Sequence, residues 1–208
     1  MAVRFDTTGP GGTDNASSGT ITLTWTHTPL DYSNLAVVVG VVVGKNGTAV
    51  PSATYAGISM EVLGFADIDG AGSVYFFGIL APPPGSKTVV VSYTVSGSTG
   101  MAANSASYTG VGAFGDSVAT TSSTASLTIA TPVDGMSAII IGGSSSNITS
   151  FNKTTRYEND TNQIFVLWAT LGGDDNVPGS TTYTWSGGSG TRGVAAQLLP
   201  AMPFYQMF

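Results

Sequence analysis

Apolar residues alternate with Ser and Thr through most of this chain, and no stretch shows helical spacing. In Thr20 to Thr28 (TITLTWTHT), Ile21, Leu23, Trp25 and His27 share one face and Thr fills the other. That period of two is the mark of a half-buried strand. Ala125 to Thr131 (ASLTIAT) alternates likewise. Two runs, Leu35 to Val43 (LAVVVGVVV) and Met136 to Ile141 (MSAIII), are continuously apolar and read as buried strands. Each leads through a turn-rich segment to an aromatic strand, Ser73 to Leu80 (SVYFFGIL) or Gln163 to Leu171 (QIFVLWATL). A Pro/Gly loop follows in both cases, then Lys87 to Ser96 or Thr181 to Ser186, then a closing strand, Met101 to Thr109 or Arg192 to Leu199. The order of elements is written twice. It predicts an all-β, antiparallel β-sandwich, jelly-roll-like and built from two similar halves, each supplying one four-strand unit. The aromatic strands should occupy equivalent places.

This reading divides the chain into a polar N-terminal arm (1–19), a single β-sandwich domain (20–199) and an apolar C-terminal tail (200–208). Gly112 to Thr124 is read as an exposed connection between the halves, because its Thr/Ser run has little to bury.

Composition narrows the function. Only 9% of the 208 residues are charged, against about 25% in ordinary globular proteins. The net charge is −6, with six Lys and Arg that form no cluster. Phosphate backbones and anionic membranes are gripped by clustered cations, so no nucleic acid and no membrane insertion are expected. The longest apolar run is too short for a transmembrane helix. The start, MAVRFD, lacks the apolar segment of a signal peptide, so synthesis and assembly in a cytoplasm are the expectation. With no Cys, thiol catalysis and thiolate metal sites are excluded.

Candidate chemistry is sparse. His27, the one histidine, shares a strand face with Trp25 and reads as a core histidine. No Ser-His-acid set can be assembled, so no catalytic residue, enzyme activity or cofactor is expected. Loop pairs Asp67/Asp69 and Asp174/Asp175 offer oxygen ligands for Ca²⁺, although Asx residues are also ordinary turn formers. Tyr55, Tyr108 and Tyr157 lie near turns and are the candidates for stacking on a glycan. Met202, Phe204, Tyr205, Met207 and Phe208 crowd an uncharged terminal segment. Residues of this kind are enriched in protein interfaces, so the tail is the candidate contact in a homo-oligomer or with a partner chain.

The run TYAGISM…VYFFGILAPPPGSKTVVVSYT…ASYTGV resembles a β-sandwich domain of actinobacteriophage minor tail and fibre proteins and of bacterial surface proteins. The matching features are Tyr55 to Gly57, Val74 to Pro83, Thr88 to Thr94, Tyr108 to Val111 and Leu198 to Pro200. Ala56 stands where that pattern usually has a second Gly. The resemblance implies a structural virion protein, a minor tail, fibre or decoration component, that works with other virion proteins, with host-surface contact as a role open to it. A lectin-like module for cell-wall glycan is the alternative.

Overall fold

The computed structural model describes residues 1–45, 50–68, 72–120, 125–143, 148, 150–159, 168–171, 174–186 and 190–202, with backbone alone at 158–159 and 168–171. The first half runs through β1 (Arg4–Thr8), β2 (Gly12–Ala16), β3 (Gly19–His27), β4 (Ala36–Gly44), β5 (Ser52–Tyr55), β6 (Ile58–Ser59), β7 (Glu61–Asp67), β8 (Gly72–Leu80), β9 (Lys87–Val95) and β10 (Thr99–Thr109). The second runs through β11 (Val111–Ala119), β12 (Ser126–Thr131), β13 (Met136–Gly143), β14 (Ser150–Phe151), β15 (Tyr157–Asn159), β16 (Trp168–Leu171), β17 (Asp174–Asp175), β18 (Gly179–Ser186) and β19 (Arg192–Pro200). No helix occurs among the described residues.

All pairing is antiparallel, and the strand order repeats. One inner sheet is β1-β10-β4-β8-β7, with β2 also on β10; the other is β11-β19-β13-β16-β15, with β17 on β13. The outer sheets are β3-β9-β5-β6 and β12-β18-β14. Of the aromatic strand expected at Gln163 to Leu171, residues 163–167 lie outside the described residues; its remainder, β16, lies beside β13 as β8 lies beside β4, the equivalent place. The layer count differs from expectation. Each half is a two-sheet sandwich with its first strand beside its last, so jelly-roll order exists within each half and is not shared between them. The two inner sheets pack face to face, giving four layers and three cores.

The continuous apolar runs follow from this stacking, because an inner strand is covered on both faces. In β4, Val37, Val39, Val41 and Val43 enter the first outer core, while Ala36, Val38 and Val42 enter the central core. In β13, Ile139 and Ile141 face the second outer core, and Met136, Ala138 and Ile140 the central one. Strands of the outer sheets alternate, as β3 does with Ile21, Leu23, Trp25 and His27 buried.

The halves are related by an approximate two-fold axis running along β4 and β13. Asn34 and Asp134 precede these strands by the same interval, and both are left-handed, with φ of 49° and 58°. Val3 N–H donates across the junction to Asp134 O at 2.7 Å, and Val111 N–H reciprocates to Asn34 O at 2.9 Å. Equivalent positions meet on the axis. A side chain at Gly40 would overlap Ile140, and a Cβ at Gly142 would lie 2.6 Å from Val42 Cγ2. Glycine is needed at both for the sheets to approach.

Two segments expected to be loose are strands. The polar arm 1–19 forms β1 and β2 and the start of β3, pairing with β10 and β9. Most of the expected connection 112–124 is β11, paired with β19. The backbone groups of both segments gain ladder partners, which outweighs their polar composition. Residues 121–124 lie outside the described residues.

A candidate ligand cleft at the junction of the halves

One edge of the inner sheets opens into a cleft of about 660 Å³. The first half supplies Val3, Arg4 and Phe5 from β1 and its approach. The second supplies Phe151 to Thr154, Arg156 and Asp174 to Asn176. Arg4, Lys153 and Arg156 are three of the six Lys and Arg in the whole sequence. The fold, not sequence proximity, brings Arg4 to the other two.

The cleft floor is rigid. Arg156 grips Asp174 with two bonds, Nε to Oδ2 at 2.9 Å and Nη2 to Oδ1 at 2.7 Å. This is the fork geometry that suits guanidinium and carboxylate. Its guanidinium also lies over the Phe5 ring, 3.7 Å from the centroid, a cation–π contact between halves. Phe5 in turn stands edge-on to Tyr108. Burial opposes the charge on Arg156, but Asp174 more than compensates and raises its pKa. Tyr108 is pushed well up, by burial first and by the Asp174 charge second. Its phenol stays neutral.

Beside it, Lys153 Nζ lies 2.5 Å from Asp175 Oδ2. Asp175 also accepts from Val177 N–H at 3.1 Å and from the Thr181 hydroxyl at 3.2 Å. Burial works against its charge, yet these donors hold it below the ordinary carboxylate range. Thr181 leads inward to Thr131, Ser137 and Tyr183, a buried hydroxyl chain in the second outer core.

The residues singled out from sequence are placed as follows. Tyr55 and Tyr108 are fully buried, which corrects their reading as glycan contacts. Turn proximity did not free them, because both side chains point inward between packed sheets. Tyr157 is half-buried against the central core. Asp174 and Asp175, which the sequence left open between Ca²⁺ ligands and turn formers, are paired with Arg156 and Lys153. Asp67 ends β7, and Asp69 lies outside the described residues. No group of acidic or His side chains fit to hold a metal ion occurs among the described residues. Met202 is 90% exposed; Phe204, Tyr205, Met207 and Phe208 lie outside the described residues.

His27 is wholly buried. Its Nδ1 lies 2.8 Å from Ser105 Oγ, which also accepts Trp25 Nε1–H at 2.8 Å. Burial lowers its pKa to about 4, with Asp6 opposing. It is a core residue, beyond reach of any substrate.

Sequence reasoning missed Arg4, Phe5, Phe151, Lys153 and Arg156. A faint signal existed: Lys153-Thr154-Thr155-Arg156 is the one place where two cations fall within four residues. No family model matches the chain, and no curated protein matches it.

Proposed function

We propose that this chain is a non-catalytic structural component of a bacteriophage virion, a minor tail, fibre or decoration protein that contacts the host surface. The observation that carries this reading is the doubled sandwich. Two jelly-roll-like units are fused through a central core of Val, Ala, Ile, Phe and Leu. Such a block suits a load-bearing part, and its outer strands β3 and β18 expose Thr and Ser. The run from Tyr55 to Val111 that resembles the phage domains reaches from the end of β5 through β6 to β10 to the start of β11. Virion assembly in the host cytoplasm, homo-oligomerisation and docking to other virion proteins belong to the same reading. The exposed Met202 and the tail beyond it are the proposed contact.

The test is mass spectrometry and immunogold labelling of purified particles, with and without residues 202–208. Absence of the chain from particles would refute the virion reading. Unchanged incorporation of the truncated chain would refute the role of the tail. The second reading, a lectin-like module for cell-wall glycan, is favoured by one observation, the polar cleft at the junction.

A further inference from the structure

The charged groups of the junction cleft are unequal in what they still offer. Both Asp174 oxygens accept from Arg156. Asp175 accepts from Lys153, Val177 and Thr181. Asn152 spends its carbonyl on Thr184 N–H and one amide proton on Thr182 O. The strong acceptors are therefore occupied. Donors remain: Arg156 Nη1, two protons of Lys153 and the guanidinium of Arg4. Arg4 is exposed and has no ion-pair partner among the described residues. A donor-rich, acceptor-poor cleft is matched by a ligand that accepts, above all an oxyanion.

The remaining lining fits a polyol. Thr154 and Asn176 are small polar groups on the walls. Phe151 is half-buried and stacked on Tyr183, with ring planes 5° apart and centroids at 6.0 Å, and forms an apolar wall. The volume lies within the range of small-ligand sites. The two halves build the site jointly, so neither sandwich alone contains it.

We infer that this cleft binds an acidic polyol, a uronate sugar or a phosphorylated polyol, its carboxylate or phosphate seated among Arg4, Lys153 and Arg156 and its carbon skeleton against Phe151. The inference rests on the host-surface contact proposed above and names what is contacted. In this assignment Arg4 is the specificity group, because it alone of the three cations is not already neutralised by a carboxylate. Lys153 and Arg156 complete the site but are held by the fold.

The experiment is titration calorimetry of the full chain with digalacturonate, glycerol 3-phosphate, inorganic phosphate and maltose. The expected result is binding of digalacturonate or glycerol 3-phosphate, weakened by salt, with no binding of maltose. Which of the two binds distinguishes a uronate from a phosphorylated polyol. Arg4→Gln should weaken that binding at least about ten-fold, and Lys87→Gln, on the first outer sheet, should leave it unchanged. Equal thermal midpoints of the two variants confirm that the fold is kept. The salt dependence of the unaltered chain is an independent readout should Arg4→Gln fail to fold. Failure of both digalacturonate and glycerol 3-phosphate to bind overturns the inference, as does maltose binding equally well. Full binding by folded Arg4→Gln, or inorganic phosphate matching the best probe, overturns it too. Absence of the chain from particles would remove the virion reading and leave cleft binding standing; a chain found in particles with an inert cleft would do the reverse.

Discussion

The two-fold axis should make the two lateral edges of the inner sheets alike, and they are not. Phe114 pairs with Leu198 as Phe5 pairs with Tyr108, so the two phenylalanines are equivalent. At one edge Phe114 stands directly on Gly78, where an added Cβ would lie 2.6 Å from its Cζ. Leu63 packs at the same point, its Cδ1 2.9 Å from that Cβ position. At the other edge the position matching Gly78 is Asp174: Val38 pairs with Gly78 and Ala138 with Asp174. A carboxylate cannot be covered by a phenyl ring alone. Arg156 enters to neutralise it and spreads over Phe5, and the strands beyond part into the cleft. At equivalent positions of the two edges, Gly78 thus lies under a phenyl ring and Asp174 under a guanidinium.

The largest expected effect breaks the open edge. Arg156→Leu leaves Asp174, with its side chain 4% exposed, as an unpaired buried charge. A loss of about 3 kcal/mol or more is expected in urea unfolding. Arg156→Leu combined with Asp174→Leu should recover most of it, since replacing both partners removes the orphan charge. If the double variant is no better than the single, the pair is not the source of the cost.

The same inequality runs through the outer cores, where the first half holds an imidazole and the second holds hydroxyls. Burial places the His27 pKa at about 4, below its ordinary 6.5. The folded chain refuses a proton that the unfolded chain accepts. Stability is therefore full above pH 6.5 and falls as pH drops from there towards 4, by up to about 3 kcal/mol. Asp175, depressed from 3.8, contributes stability that is lost only at lower pH, so the two windows separate. Urea midpoints at pH 7 and 4.5 should differ in the unaltered chain and nearly coincide in His27→Gln. Equal pH dependence in both would assign the effect elsewhere. In the second half, Tyr183→Phe removes a hydroxyl that donates to Ser137 O at 2.8 Å and lies 2.7 Å from Ser137 Oγ. It should cost about 1 to 2 kcal/mol at every pH between 4.5 and 7.

The smallest effect concerns a single turn. Ala56 and Gly57, between β5 and β6, both have positive φ, 53° and 78°. This two-residue hairpin turn needs left-handed backbone at both positions. Ala56→Gly should stabilise the chain by about 0.5 to 1 kcal/mol. A lowered thermal midpoint would show that the strain is illusory.

Period and repeat made most of the fold legible. The alternation of Thr20 to Thr28 gave the buried face of β3 residue by residue, and the echo placed the two aromatic strands in equivalent positions. What remained hidden was the number of layers. LAVVVGVVV says that a strand is covered on both sides but not by what, and the cover is the other half of the chain. The polar strands β1 and β11 were hidden for a related reason. Their stability comes from ladder partners some hundred residues distant, which leave no local pattern. The cleft was least legible, because its cations carry no motif and its carboxylates look like turn residues until Arg156 and Lys153 are seen upon them.

Gly40 and Ile140 sit at equivalent positions and touch each other. Two identical chains could not make this contact, because a position lying on a symmetry axis meets its own copy. Glycine against glycine would leave a void, and isoleucine against isoleucine would collide. Once two such units are tied into a single polypeptide, each side of the seam can diverge. One becomes the knob and the other the socket, and Val42 against Gly142 repeats the exchange with the roles reversed. Covalent joining thus permits sequence combinations at the seam that two identical chains packed about the same axis could not use.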